Sequence, residues 1–184
     1  MPRVCPVWVG YLLASPVRKL WQDPAKILRP YVREGMTVLD MGSAMGFFSI
    51  PLAQMVGAKG RVVCVDMQPK MLATLEKRAR KAGVGERIAA RLCSADSLGI
   101  SDLTGTVDFA LAFAVVHEVP DQERLFAELA AVLKPPGTLL VAEPRGHVPE
   151  ADFQQTLAEA ARHGLAVAET PRIAQSRSVL LKKS

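Results

Sequence analysis

The chain has 184 residues, 49% of them hydrophobic and 22% charged, with a formal net charge of +5. That is enough apolar material for one well-packed domain and too much for a disordered chain. The basic residues are scattered, apart from the stretch 76–81 and the C-terminal lysines, so they read as solvated helix faces rather than a nucleic-acid surface. No segment reaches the ~20 apolar residues that cross a bilayer, and the apolar stretch near the N-terminus is broken by Pro6 and Pro16 without a signal-peptide pattern. Three cysteines, Cys5, Cys64 and Cys93, show neither a CxxC nor a metal spacing. The expectation is a reduced, cytoplasmic protein, monomeric or homodimeric, with no membrane partner and no metal.

Residues 1–35 stand apart. They hold both tryptophans (Trp8, Trp21), both tyrosines (Tyr11, Tyr31) and five prolines. This segment is expected to be a helical, aromatic extension, either packed on the flank of the domain or closing over its site as a lid. From residue 36 to 184 the pattern becomes regular. Strand-like runs fall at Thr37–Met41, Arg61–Asp66, Ile88–Cys93, Val107–Phe113 and Thr138–Ala142, and helical patterns at Gly46–Val56, Pro69–Ala82 and Asp121–Leu133. The stretch 94–105 reads as loop with one short helical turn.

Local punctuation supports these limits. Pro69 suits a first helical turn, Gly83 a helix C-terminus, and Asp121 an N-cap. Runs such as "DFALAFAVV" and "TLLVAE" are apolar at nearly every position, as strands buried on both faces of a parallel sheet are. A last helix over Pro149–His163 precedes two strand patterns, near Ala166–Glu169 and Ser178–Leu181. Only about eight residues separate them, too few for the dozen or more of a parallel crossover, so they should pair antiparallel. The fold class predicted is α/β, a doubly wound, mostly parallel seven-stranded sheet with a last antiparallel strand.

The segment "VLDMGSAMGFFSIPLA" runs from strand to helix through Gly42, Ala44 and Gly46. A dinucleotide fingerprint places small residues at the first, third and sixth positions, and the sixth here is Phe47, which opposes a nicotinamide cofactor. No GK[ST] follows, so a phosphate-binding Walker loop is excluded. Asp40-x-Gly42-x-Ala44-x-Gly46 instead resembles the DxGxGxG motif of class I S-adenosylmethionine-dependent methyltransferases, of the type 11 or ubiquinone-biosynthesis-like group, with Ala44, Ser43 and Met45 departing from its usual residues. The likeness continues in order. Asp66, 24 residues after Gly42, resembles the acid that holds the ribose hydroxyls, and Met67 the apolar residue against adenine. Asp96 and Ser97 resemble the polar pair near the adenine amino group, and Phe113 and Ala114 the residues beside the methionine moiety. "LKPPGTLLVAEP" matches the fifth strand and its preceding turn. The resemblance covers about residues 37–145 and implies a Rossmann-like methyltransferase fold with S-adenosyl-L-methionine as cofactor, held by Asp40, Gly42, Ser43, Ala44, Gly46, Asp66, Met67, Asp96, Ser97, Phe113 and Ala114. Some of these also have a plainer reading: Gly42 and Gly46 can close a βα turn, Asp66 can cap the helix at Pro69, and Asp96 can cap a short turn.

The implied chemistry is in-line methyl transfer to an unidentified, small-molecule acceptor, for which the protein aligns the reactants and excludes water. His117 and Glu118 follow the fourth strand; Glu143, Arg145 and His147 follow the fifth. His117 is the catalytic candidate, as a proton acceptor near neutral pH, and its plainer reading is a residue that shapes the loop after the fourth strand. A metal held by His117, Glu143 and His147 is opposed by their irregular spacing. Arsenic methyltransferases use several cysteines for their substrate, whereas Cys64 and Cys93 here look buried in strands. The competing functions are a cofactor-binding regulatory module without turnover and an NAD(P)-dependent oxidoreductase.

Overall fold

The computed structural model describes residues 22–184. Seven strands form one sheet: β1 Thr37–Met41, β2 Arg61–Asp66, β3 Ile88–Leu92, β4 Val107–Phe113, β5 Leu133–Pro144, β6 Leu165–Glu169 and β7 Ser176–Lys183. Their order is β3-β2-β1-β4-β5-β7-β6. The first five pair in parallel, and β7 runs antiparallel to both β5 and β6. The predicted antiparallel ending is therefore present.

Among the described residues five helices cover the sheet: α1 Pro24–Leu28, α2 Ser49–Met55, α3 Pro69–Lys81, α4 Gln122–Val132 and α5 Glu150–Arg162. Side-chain alternation assigns each strand residue to a face. Val38, Val62, Cys64, Phe109 and Leu111 point to the side carrying α1, α2 and α3, whereas Leu39, Val63, Val65, Ala110 and Ala112 point to the side carrying α4 and α5. Strands with both faces covered have no polar side to show, which is why their sequences lack alternation.

Pro69 occupies the first turn of α3, Gly83 follows that helix in the left-handed region, and the Asp121 carboxylate accepts the Arg124 N–H at 2.9 Å. A cap of that kind stabilises a helix by ~1 kcal/mol. The short turn expected within 94–105 is a single 3₁₀ turn at Ser101–Leu103.

Several limits differ from expectation. Helix α2 starts at Ser49 rather than Gly46, because Gly46 lies in the left-handed region at φ +83°, outside any α-helix. Strand β5 starts at Leu133, which pairs with Val107 before the register breaks and resumes at Phe109–Thr138. Strand β3 ends at Leu92, so Cys93 lies just beyond it and half-buried rather than inside the strand.

Of the N-terminal extension, residues 1–21, with Trp8, Tyr11, Trp21 and Cys5, lie outside the described residues. Residues 22–35 pack on the sheet. The Gln22 side-chain amide donates to the Ala174 carbonyl at 2.9 Å, Leu28 and Val32 are buried, and Tyr31 stacks on Phe109 with ring centroids 6.0 Å apart. Among the described residues no helix is long and apolar enough to cross a membrane.

Candidate cofactor and active site

The order of connections reverses between β1 and β4, and open α/β sheets place their ligand crevice at such a point, beyond the carboxyl ends of the strands. A cleft opens there. Its floor is the β1–α2 loop, where Gly42, Ala44 and Gly46 have φ of +69°, +45° and +83°. The alternating small residues thus mark alternating left-handed backbone, a conformation that costs a residue with a Cβ roughly 1–2 kcal/mol. Ala44 bears that strain. Gly42 is also short of space: a Cβ there would lie 2.6 Å from Val115 Cγ2, so the turn after β4 rests directly on the loop. Gly46 does not line the cleft; it faces Leu75 of α3, whose Cγ would sit 3.1 Å from an added Cβ. Phe47 is buried, edge-on to Phe48, which in turn packs on Phe113.

Asp66, at the end of β2, holds the loop in place. One carboxylate oxygen accepts the Ala44 N–H at 2.9 Å and the other the Gln68 N–H at 2.8 Å. The N-cap position of α3 belongs to Gln68, so Asp66 is not itself the cap but ties the glycine loop to the residue that opens the helix. A carboxylate has about four acceptor sites, and the residue lines the cleft. Burial raises its pKa, against the lowering effect of the Gln68, Ala44 and Met67 amides.

Asp40 sits deeper. Its carboxyl is buried, accepts the Ser49 hydroxyl at 2.5 Å and borders the cleft. Burial pushes its pKa up to about 7; the Ser49 hydroxyl opposes the shift and the Asp66 charge adds to it. Ser43 is the complement of these satisfied groups: 5% exposed and cleft-lining, with a buried Oγ that has no hydrogen-bond partner among the described residues. An unpaired buried hydroxyl is costly, and this one, lining the cleft, is free to bond to what fills it.

The cleft gathers Asp40, Gly42, Ser43, Ala44, Asp66, Met67, Asp96, Ser97, Phe113 and Ala114 from four separate parts of the chain. Ala114 itself is left-handed at φ +56° and donates to the Ala142 carbonyl at 2.7 Å. His117 is not among the lining residues, although its neighbours Val115 and Glu118 are. Its Nδ1 instead contacts the carboxylate of Glu143. Glu118 faces the cleft, its pKa raised chiefly by burial.

Cys93, Glu128 and Arg124 are among the lining residues that went unrecognised in the sequence. Cys93 has its thiol pushed up to about 11 by burial and by the Asp66 charge, which makes it a poor nucleophile. Glu128 reaches from α4 to accept the Leu98 N–H at 2.8 Å, tying down the loop that carries Asp96 and Ser97. Arg124 lies 3.7 Å from Glu128. The i,i+4 spacing of Arg124 and Glu128 is readable, but it suggests only a surface pair on a helix. Among the described residues no group of three His, Cys, Asp or Glu side chains converges on a metal position.

Comparison with known proteins places this geometry in context. The family described as "Methyltransferase domain" matches residues 32–178. A ubiquinone/menaquinone biosynthesis C-methyltransferase from Enterobacter sp. (strain 638) is 35% identical over 135 residues, 72% of this chain and 51% of that protein. An arsenite methyltransferase from Halobacterium salinarum is 33% identical over 109 residues, 59% of this chain and 27% of its own length. The chain therefore spans about half of the first relative and about a quarter of the second. Among solved structures, a SAM-dependent methyltransferase from Aquifex aeolicus superposes with a TM-score of 0.87 at 23% identity, covering 98% of this chain and all of that one. The family match runs from Val32, on the flank of the sheet, through β1–β6 to Ser178 at the start of β7, and with the loop, the bracing acid and the strand order it shows that the chain belongs to the class I S-adenosylmethionine-dependent methyltransferase family.

Proposed function

We propose that the chain binds S-adenosyl-L-methionine in this cleft and moves its methyl group to a small-molecule acceptor. The observation that carries the reading is Asp66, held by main-chain amides at the end of β2 with its carboxylate lining the cleft. Two vicinal hydroxyls of a ribose are the donors such a carboxylate suits. Ser43 Oγ, buried and unpartnered among the described residues, fits the same ligand at its amino-acid end. Bound there, the cofactor supplies a methyl group on a positively charged sulfur, and no protein nucleophile is needed.

The residues then divide the work. Asp66 accepts the ribose hydroxyls, Met67 covers one face of the adenine, and Asp96 with Ser97 meets its polar edge. Gly42, Ser43, Ala44 and Gly46 shape the loop under the amino-acid end, with Asp40 beneath it. Phe113 and Ala114 bound the methionine side chain, and His117 takes the acceptor's proton. The absence of paired-cysteine spacing supports a reducing, cytoplasmic setting.

Thermal unfolding with S-adenosylhomocysteine and with NAD tests the cofactor. At 100 times its dissociation constant a ligand adds about 2.7 kcal/mol to the folded state, so the first should raise Tm and the second should not. Stabilisation by NAD alone would establish the oxidoreductase instead. Methyl transfer from labelled S-adenosylmethionine to a small-molecule library that includes quinols tests turnover, and binding without transfer to any member supports a regulatory module.

A further inference from the structure

Glu143 ends the core of β5 with its side chain 1% exposed, yet it meets four nitrogen atoms. Oε1 accepts the Val115 N–H at 3.0 Å and the Val116 N–H at 3.1 Å, and Oε2 accepts the His117 N–H at 3.3 Å. Those three amides belong to the turn that follows β4 and rests on Gly42. The fourth nitrogen is His117 Nδ1, against Oε2. Because three main-chain donors already converge on the carboxylate, it serves as acceptor at both oxygens, and Nδ1 is the donor. An imidazole with its proton on Nδ1 has its lone pair on Nε2. His117 Nε2 has no hydrogen-bond partner among the described residues, and the side chain is 26% exposed, between cleft-lining Val115 and Glu118.

The two carboxylates around the ring act in one direction. Glu143 from β5 raises its proton affinity through the hydrogen bond and its charge, and Glu118 on the same turn adds to this; partial burial opposes them. His147, from the loop after β5, lies with its ring centroid 6.2 Å away.

We propose that Glu143 is a positioning residue that fixes His117 as the Nδ1–H tautomer, leaving Nε2 as the proton-accepting atom for methyl acceptors that attack through a hydroxyl or enol oxygen. This rests on the methyltransferase reading. In the step it serves, the acceptor oxygen forms a bond to the methyl carbon while the carbon–sulfur bonding pair stays on sulfur. The hydroxyl proton passes to Nε2. The positive charge lost at sulfur reappears on the imidazolium, next to the Glu143 carboxylate. A thiolate arrives already ionised and has no use for the arrangement, so the acceptor class is one whose attacking atom carries a proton.

Long-range ¹H–¹⁵N NMR of the full chain with ¹⁵N-labelled histidine tests this, with S-adenosylhomocysteine present and His117 identified by its loss in His117→Gln. The expected result is a neutral form protonated at Nδ1, which titrates above an ordinary histidine. In Glu143→Gln its proton affinity should fall by at least about tenfold. A neutral form protonated at Nε2, or a titration unmoved in Glu143→Gln, overturns the proposal. Should Glu143→Gln fail to fold, the wild-type tautomer and titration decide alone. Failure of S-adenosylhomocysteine to bind, with the expected tautomer present, would sink the methyltransferase reading and leave the pairing standing.

Discussion

Replacing Asp40 by asparagine should change how stability depends on pH. The buried carboxyl titrates at about 7 instead of its ordinary 3.8. The folded chain therefore holds this proton through a range in which the unfolded chain has released it. Stability from this group is complete below about pH 4, falls as pH rises, and levels off above about pH 7. At about 1.4 kcal/mol per pH unit, the full loss is about 4 kcal/mol. Asparagine cannot ionise, and its carbonyl can still accept the Ser49 hydroxyl. Any cost of burying the amide NH₂ is independent of pH and cancels when two pH values are compared. Between pH 5 and pH 8 the stability of Asp40→Asn relative to wild type should rise by about 3 kcal/mol, which for a domain of this size is roughly 6–12 °C in Tm. Urea unfolding of both proteins at the two pH values measures it. Parallel pH profiles would refute the reasoning, because they would mean that Asp40 titrates in the folded chain as it does in the unfolded one.

Other substitutions test the loop and the core. Ala44→Gly should stabilise the protein by about 1 kcal/mol in urea unfolding by relieving the left-handed strain at φ +45°, and a loss of stability would show that the methyl group is packed. Gly42→Ala should cost roughly 1–3 kcal/mol by the same assay, since its Cβ would press on Val115 at 2.6 Å. Phe109→Ala, at a fully buried ring stacked with Tyr31, should cost about 3–5 kcal/mol.

The parts of the fold that could be read from sequence are those fixed by local chemistry. Strands β1, β2 and β4 have their predicted limits because apolar runs buried on both faces begin and end abruptly. Pro69, Gly83 and Asp121 act through their own backbone or side chain, so their roles needed no tertiary information. The start of α2 was obscured because an apolar periodicity continues through Met45 and Phe47 while the backbone is still turning at Gly46. Cys93 read as a strand residue because its neighbours are apolar, although the pairing of β3 with β2 stops at Leu92.

The residues that gather in the cleft were legible as a motif, but their supports were not. Glu128 reaches the 94–98 loop from 30 residues away, and Glu143 gathers the turn after β4 from 26 to 28 residues away. Nothing in the spacing of these residues distinguishes them from surface acids. His117 illustrates the same limit. Its place after β4 was evident, while the contact that orients its ring depends on how β4 and β5 align.

The central claim, that Asp66 holds the ribose of an adenosyl cofactor, is tested most directly by calorimetric titration of wild type and Asp66→Ala with S-adenosylhomocysteine. Loss of charge-assisted bonds to two hydroxyls should weaken binding by roughly 1.5–3 kcal/mol in a variant that still unfolds cooperatively. Binding of equal affinity in the folded variant, or no binding to wild type, would contradict the account.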